Sequence, residues 1–221
     1  MVKKIVGTGV LLVLALALQA GVKMYTLKSP DGKVKLEVTA GQGIAYSLFY
    51  DGRLLLKPSR IALHTDLPEA DHWENIRITG TKQRHVSETV QAPFYRVKEF
   101  GIDCNELELR LNNGFSLLMR AYNDGMAYRF VAGRKGEMTV VEERAEFNFA
   151  DDFEAYIPYS TNPKDPWNMA FQNFYTKAPL TQYNTELPAF LPLTVDAGAV
   201  KLTLLESDLE AYPGMFVRGD G

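Results

Sequence analysis

Residues 106–131 read ELELRLNNGFSLLMRAYNDGMAYRFV, and this stretch decides the fold class. Between residues 107 and 111, leucine alternates with a charged residue, the pattern of a strand with one buried face. Asn112-Asn113-Gly114 and Asn123-Asp124-Gly125 then interrupt the apolar runs with residues that favour turns. The stretch predicts three consecutive strands joined by two tight turns.

The same alternation and turn chemistry continue on both sides of this stretch. Ser29-Pro30-Asp31-Gly32 predicts a turn, and Asp51-Gly52 between two apolar runs is the strongest short hairpin signal. Beyond the first 20 residues, no window sustains helical periodicity, so an all-β sandwich or barrel is predicted. Further strands are predicted over residues 24–28, 34–38, 44–50, 53–56, 139–142, 146–148, 154–157, 190–195 and 200–205.

Composition and charge exclude several classes of protein. The chain has 221 residues, of which 46% are hydrophobic, and this excludes a disordered chain, a collagen-like repeat and a coiled coil. The net charge of −3 gives no basic excess to neutralise phosphates, so no nucleic-acid partner is expected. Cys104 is the single cysteine, which excludes an internal disulfide and a zinc ribbon. The hydrophobic core alone must therefore hold the domain together.

The N-terminus has the pattern of an export signal. Lys3 and Lys4 precede an apolar run over residues 5–18, and Ala20 offers a small residue for cleavage before Gly21. The run is shorter than the roughly 20 residues that span a bilayer, so no membrane span is expected after cleavage. We predict a signal peptide over residues 1–20 and a mature domain over 21–221, located in the periplasm or at the outer membrane. The alternative is an uncleaved N-terminal anchor.

Few residues suggest chemistry. The sequence contains no nucleophile elbow, metalloprotease motif or phosphate loop, and its three histidines are too scattered to predict a zinc site. Glu206, Asp208 and Glu210 follow the predicted strand at 200–205, and carboxylates at a strand end suit a hard cation such as Ca²⁺. The alternative is a solvated turn.

Aromatic side chains are the other candidates, because the apolar face of a sugar ring can stack on them. In a β-sandwich, however, most aromatic side chains belong to the core. The candidates for a sugar platform are Trp73, Trp167, Phe171, Phe174 and Tyr175.

The run FSLLMRAYNDGMAYRF over residues 115–130 resembles the N-terminal domain of glycoside hydrolase family 97, which includes α-glucosidases and α-galactosidases. Further segments resemble that family in the same order, and together they span nearly the whole mature chain. These are SPDG at residues 29–32, NEL at 105–107, AYIPY at 155–159 and LLESDLEAYPGM at 204–215.

The resemblance implies an all-β fold, a β super-sandwich similar to galactose mutarotase, that packs on a (β/α)₈ barrel carrying the catalytic carboxylates. It also implies a glutamate at the rim of the active site that helps bind Ca²⁺, and Glu206 is the matching residue. A second possible position is Gln172, where the family suggests a glutamate and an amide would put calcium binding in doubt. Cys104 stands where the family suggests a tyrosine.

A barrel alone needs about 250 residues, so this chain has no room for one. We therefore expect a C-terminally truncated, non-catalytic part of an exported α-glycosidase, with no catalytic residue of its own and unknown substrate-binding residues. Its expected partners are the missing barrel, in cis or in trans, and an α-linked oligosaccharide, with calcium bound only when the barrel is present. The alternatives are a stand-alone carbohydrate-binding module and an envelope interaction protein.

Overall fold

The computed structural model describes residues 22–162, 164–167, 172–207, 209 and 212–220. These residues form thirteen strands and one short 3-10 turn at Leu180–Gln182, and they contain no α-helix. The chain divides into two compact units, the first ending at Asn148 and the second covering Phe149–Gly221. The strands are β1 (Lys23–Lys28), β2 (Val34–Gly41), β3 (Gly43–Tyr50), β4 (Arg53–Thr65), β5 (Ile78–Gln91), β6 (Glu99–Leu111), β7 (Phe115–Tyr122), β8 (Gly125–Ala132), β9 (Val140–Ala145), β10 (Glu154–Ile157), β11 (Thr176–Pro179), β12 (Leu193–Asp196) and β13 (Lys201–Leu204).

The first unit is a sandwich of two antiparallel sheets. One sheet has the order β1-β2-β3-β4-β9 and the other has the order β5-β6-β7-β8, with β1 and β2 lying against β6 and β7. The all-β sandwich expected from the sequence is therefore confirmed.

Alternation of apolar side chains builds the core of this sandwich. Leu36 and Val38 on β2 are completely buried, as are Leu109 on β6 and Leu117 on β7, while the residues between them are less buried. The predicted hairpin between β3 and β4 is also confirmed, since Asp51 and Gly52 both have the positive φ of a tight hairpin turn.

Some strands differ from the sequence-based expectation. The long strand β5 was not predicted, because its sequence ITGTKQRHVSETVQ is mostly polar and exposed. Strand β4 continues to Thr65 instead of ending at residue 56. Residues 146–148 do not form a strand but run beside β4, where the Lys57 N–H donates to the Asn148 carbonyl at 2.7 Å.

The second unit contains one antiparallel sheet with the order β11-β10-β12-β13. The predicted strand at residues 154–157 is confirmed, and its Ala155 and Ile157 are fully buried with Val195 of β12. The edge strand β11 was not predicted. Ala189, just before β12, exchanges two backbone hydrogen bonds with Val217, which joins the C-terminal segment to this unit.

In the part of the chain that the structure describes, no helix is long and apolar enough to cross a bilayer. The predicted signal peptide at residues 1–20 lies outside the described residues, as do Phe171, Asp208 and Glu210. The export signal and the boundary at residue 21 stay predictions.

Candidate functional site

Glu206 lies just beyond the end of β13 and is half-buried. Both of its carboxylate oxygens accept the Met215 N–H, at 2.8 Å and 2.9 Å. This contact closes the loop between residues 206 and 215, within which the Tyr212 N–H donates to the Leu209 carbonyl. Because each carboxylate oxygen has a further lone pair, Glu206 keeps acceptor capacity for an additional ligand.

The segment that receives Glu206 is itself firmly anchored. Val217 donates to and accepts from Ala189, with both distances 2.8 Å, and the Tyr183 hydroxyl donates to the Val217 carbonyl at 2.9 Å. Burial raises the pKa of Tyr183 far above its ordinary value, so this hydroxyl stays a donor at any physiological pH. Met215 therefore holds Glu206 from a fixed backbone.

An exposed tryptophan packs against the same segment. The Trp167 ring meets the Phe216 ring edge-on, with centroids 5.2 Å apart, and the Arg218 guanidinium lies 5.4 Å from the Trp167 centroid. Trp167 nevertheless remains 53% exposed. An aromatic surface with an adjacent cation thus shares a short backbone segment with the Glu206 carboxylate.

Two more exposed aromatic residues, Phe174 and Tyr175, belong to the same unit. The Asn173 amide donates to the Tyr159 carbonyl at 2.8 Å and to the Thr161 hydroxyl at 3.1 Å. This amide fixes the segment that carries Phe174, which is 100% exposed, and Tyr175, which is 44% exposed. Gln172 is exposed as well, so it is available to a ligand as an amide but not as a carboxylate.

The Glu206 carboxylate can supply part of a metal site. Within the described ranges, no group of three or more histidine, cysteine or acidic side chains could hold a metal ion. Ca²⁺ takes six to eight oxygen ligands. Glu206 can therefore contribute one carboxylate to a site whose other ligands come from elsewhere.

Trp73, one of the candidates for a sugar platform, lies in the core instead. Trp73 is 5% exposed, its indole N–H donates to the Leu63 carbonyl at 3.0 Å, and its ring packs against Phe115 and Phe130. Its size and its satisfied N–H make it a core residue of the first unit, which was the alternative considered for it.

Sequence reasoning missed Phe216 and Arg218. Both follow Tyr212-Pro213-Gly214-Met215, so their proximity to Glu206 could be inferred from the turn residues. Their contact with Trp167, about fifty residues earlier, depends on the tertiary fold and has no local signal.

Comparison with known proteins gives one family. The family model described as Glycosyl-hydrolase 97 N-terminal matches residues 27–221. The chain is 41% identical over 209 residues to a retaining alpha-galactosidase of Bacteroides thetaiotaomicron, covering 91% of this chain and 31% of that protein. It is 26% identical over 158 residues to a probable retaining alpha-galactosidase of Streptomyces bingchenggensis, covering 70% of this chain and 24% of that protein.

Solved structures show the same fold. A glycoside hydrolase family 97 enzyme from Pseudoalteromonas sp. strain K8, in complex with panose, aligns with a TM-score of 0.73 at 19% identity. A beta-arabinopyranosidase aligns with a TM-score of 0.66 at 22% identity. The alignments cover 88% and 80% of this chain, and each covers 30% of the other protein. The chain thus spans about a third of the length of these relatives.

Proposed function

From the premise that this chain belongs to the glycosyl-hydrolase 97 N-terminal family, we propose that it is the non-catalytic β-sandwich of an exported α-glycosidase. In this role it packs on a (β/α)₈ barrel and completes the rim of the active site. The observation that carries the proposal is the Glu206 carboxylate, which the Met215 N–H holds in place while leaving acceptor capacity for a ligand.

The share of each relative that this chain covers supports a separate catalytic domain. The 41% identical retaining alpha-galactosidase has more than two thirds of its length outside the matched part. Glycoside hydrolysis requires two carboxyl groups about 5–9.5 Å apart across the scissile bond. We assign neither of them to this chain, so the barrel supplies the reacting groups and the sandwich supplies ligands and positioning.

Glu206 is the proposed contribution to a calcium ion. Bound calcium would attract the oxygens of the sugar, and Glu206 would supply one of its carboxylate ligands from the second unit of this chain. The paired contact with the Met215 N–H orients the carboxylate before any ion binds, which reduces the entropy lost on binding.

A fusion protein tests this proposal. Residues 22–221 replace the matched part of the Bacteroides alpha-galactosidase, and calcium is titrated while hydrolysis of p-nitrophenyl α-galactoside and thermal unfolding are followed. We expect Glu206→Gln to raise the calcium concentration needed for half-maximal stabilisation about tenfold or more, because one carboxylate ligand is lost. Glu186→Gln, an exposed position in the same unit, is the matched control. Equal calcium dependence of both variants contradicts the role of Glu206.

The chain alone is expected to release no p-nitrophenol from α-glucoside or α-galactoside substrates. Release above that of a heat-treated sample would contradict the proposal that the chain is non-catalytic. Export is tested separately by expressing the full chain in a Gram-negative host. A periplasmic product beginning at Gly21 is expected.

A second function, a stand-alone carbohydrate-binding module, is favoured by the exposed Trp167 beside Arg218. An α-linked oligosaccharide stacked on Trp167 should change its fluorescence, whereas Trp73 is buried and serves as an internal reference. We expect the response to disappear in Trp167→Phe and to persist in Trp73→Phe. No response at millimolar sugar argues against this second function.

A further inference from the structure

The two longest strands extend beyond the sheet to which they belong. Strands β5 and β6 pair continuously to Gln91 and Glu99, but the pairing of β6 with β7 ends at Cys104 and Tyr122. Residues 87–103 therefore form a two-stranded extension, here called the β5–β6 ribbon. Among the described residues, no strand pairs with either outer edge of this ribbon.

The ribbon has one apolar and one polar face. Side chains directly opposite each other in an antiparallel pair lie on the same face, and alternate residues along a strand share a face. The pairs Glu88–Ile102 and Val90–Phe100 therefore lie on one face, which is apolar except for Glu88 and continues from the buried pair Val86–Cys104 at the base of the ribbon. The other face carries polar residues and a glycine, namely Ser87, Thr89, Gln91, Glu99, Gly101 and Asp103.

This apolar face points away from the sandwich core. Leu107 and Leu109 of β6 are buried in the core, and they are odd-numbered, whereas Phe100, Ile102 and Cys104 are even-numbered. Since the pairing shows no bulge between these positions, the two sets lie on opposite sides of the sheet. The apolar face of the ribbon thus continues the outer surface of β5–β8, where the first sheet cannot cover it.

The tip presents large apolar side chains in a defined conformation. The Ala92 N–H donates to the Lys98 carbonyl at 2.7 Å, and the Tyr95 N–H donates to the Ala92 carbonyl at 3.1 Å. Phe94 is completely exposed and Tyr95 is 62% exposed. A two-stranded hairpin alone is marginally stable in water, and a contiguous apolar patch of this kind is typical of an interaction site.

The charges along this surface favour an acidic partner over a second copy. Arg96 and Lys98 lie at the tip, Glu88 lies between the tip and the base, and at the base Arg84 and Arg120 both donate to Glu106. Two copies packed through this face would bring an excess of cations together. At the free edge of β6, antiparallel self-pairing about Gly101 would place Glu99 opposite Asp103, which is also repulsive.

We propose that the apolar face and tip of the β5–β6 ribbon dock on the catalytic domain of the glycosidase, onto an apolar surface rimmed by carboxylates. This inference rests on the proposed function. The matched range 27–221 includes the ribbon, so the ribbon belongs to a domain that in the relatives accompanies a remainder more than twice its length. In the retaining alpha-galactosidase, that remainder lies in the same chain as the matched domain.

The test compares one double variant, Phe94→Ser/Tyr95→Ser, in the isolated chain and in the fusion protein described above. In the isolated chain both side chains are exposed, so the unfolding temperature is expected to stay unchanged. In the fusion protein we expect it to fall by about 3 °C or more. We also expect trypsin to cleave after Arg96 or Lys98 about tenfold more slowly in the unmodified fusion protein than in the isolated chain. Val141→Ser, at an exposed valine on β9, is the control in both proteins.

Each outcome has a distinct meaning. An equal effect of the double variant in both proteins, with unchanged cleavage, overturns the ribbon proposal even if the fusion protein is active and calcium-dependent. A selective effect in an inactive fusion protein supports docking while contradicting the proposed function. Dimerisation of the isolated chain, or binding to phosphatidylglycerol vesicles, that the double variant abolishes would assign the ribbon to another partner.

Discussion

Strand β6 passes through two environments, and their comparison separates residues buried in the core from residues that remain exposed. Residues 104–111 lie between β5 and β7, and Leu107 and Leu109 are completely buried or nearly so. Residues 99–103 pair with β5 alone, and Phe100 remains 40% exposed. The strand is apolar in both halves, but the apolar side changes from the outer face to the core face.

The difference shows that burial in this sheet depends on a facing layer as well as on strand sequence. The first sheet covers the core face of β6 and β7, so alternating leucines are buried there. The first sheet does not lie against the outer face, where Val86, Cys104 and Glu106 are buried but Val90 and Phe100 are about 40% exposed. This face is polar near Glu106 and mainly apolar in the ribbon. Substitutions in the two halves should therefore differ in their effect on stability.

The largest effect is expected for Phe115→Ala in the covered part of the sheet. Phe115 is 3% exposed, and its ring lies 6.1 Å from that of Trp73. Truncation removes buried apolar area and leaves a cavity, so we expect a loss of about 3–5 kcal/mol in the free energy of unfolding. Urea denaturation measures it. A loss below about 1 kcal/mol would mean that the core does not depend on this ring.

A smaller, pH-dependent effect is expected for Glu106→Gln on the outer face. Glu106 accepts the Arg84 Nε–H at 2.6 Å and the Arg120 Nε–H at 2.8 Å, and its side chain is 5% exposed. Burial raises the pKa of this carboxyl, but the two arginine hydrogen bonds outweigh burial and bring the pKa below its ordinary value. We expect a loss of about 1–3 kcal/mol at neutral pH, measured by urea denaturation.

The sign of the pH dependence follows from the lowered pKa. The stability that Glu106 contributes is complete above pH 4.5, its ordinary pKa, and is lost as the pH falls through the lower value in the folded protein. The difference between Glu106→Gln and the unmodified chain should therefore shrink in acid. Glu108→Gln, on the same face, is the control. A difference that stays constant into acid would contradict the ion-pair role.

The covered half of β6 could be predicted from sequence, and the ribbon could not. Leucine alternation and the Asn112-Asn113-Gly114 turn indicate a half-buried strand followed by another strand, as the structure shows. Strand β5 escaped prediction because both of its faces are largely exposed, so its sequence has no apolar period. Its existence follows from pairing with β6 over thirteen positions, which is a non-local property.

In the candidate site, too, some features could be predicted from sequence and others depend on the fold. Glu206 could be placed at the end of a strand from sequence, and the structure confirms its position just beyond β13. Its anchoring by Met215 and the contact of Trp167 with Phe216 and Arg218 required the fold. Trp73 was a candidate only because sequence does not distinguish a buried indole from an exposed one.

Two glycines of the β5–β8 sheet offer a sharper comparison. A Cβ on Gly133, just after β8, would lie 2.8 Å from the Gly114 carbonyl oxygen. This oxygen belongs to the backbone, so it cannot move aside as the end of a flexible side chain can. A Cβ on Gly101 in the ribbon would meet no atom within 4 Å. We expect Gly133→Ala to cost about 1–2 kcal/mol and Gly101→Ala to cost nothing or to stabilise slightly, as measured by thermal unfolding. Equal effects would show that the ribbon is as constrained as the covered sheet.

The smaller effect of the two phenylalanine truncations is expected for Phe100→Ala, the exposed counterpart of Phe115→Ala. The Phe100 and Tyr95 ring centroids lie 5.7 Å apart, and Phe100 remains 40% exposed, so its truncation should cost about 0.5 kcal/mol in the isolated chain. Urea denaturation under the same conditions as for Phe115→Ala gives the ratio of the two effects. A cost above about 2 kcal/mol would mean that the ribbon is already covered within this chain. The small cost is what an interaction surface requires, because a side chain that contributes little to folding can contribute its buried area to binding.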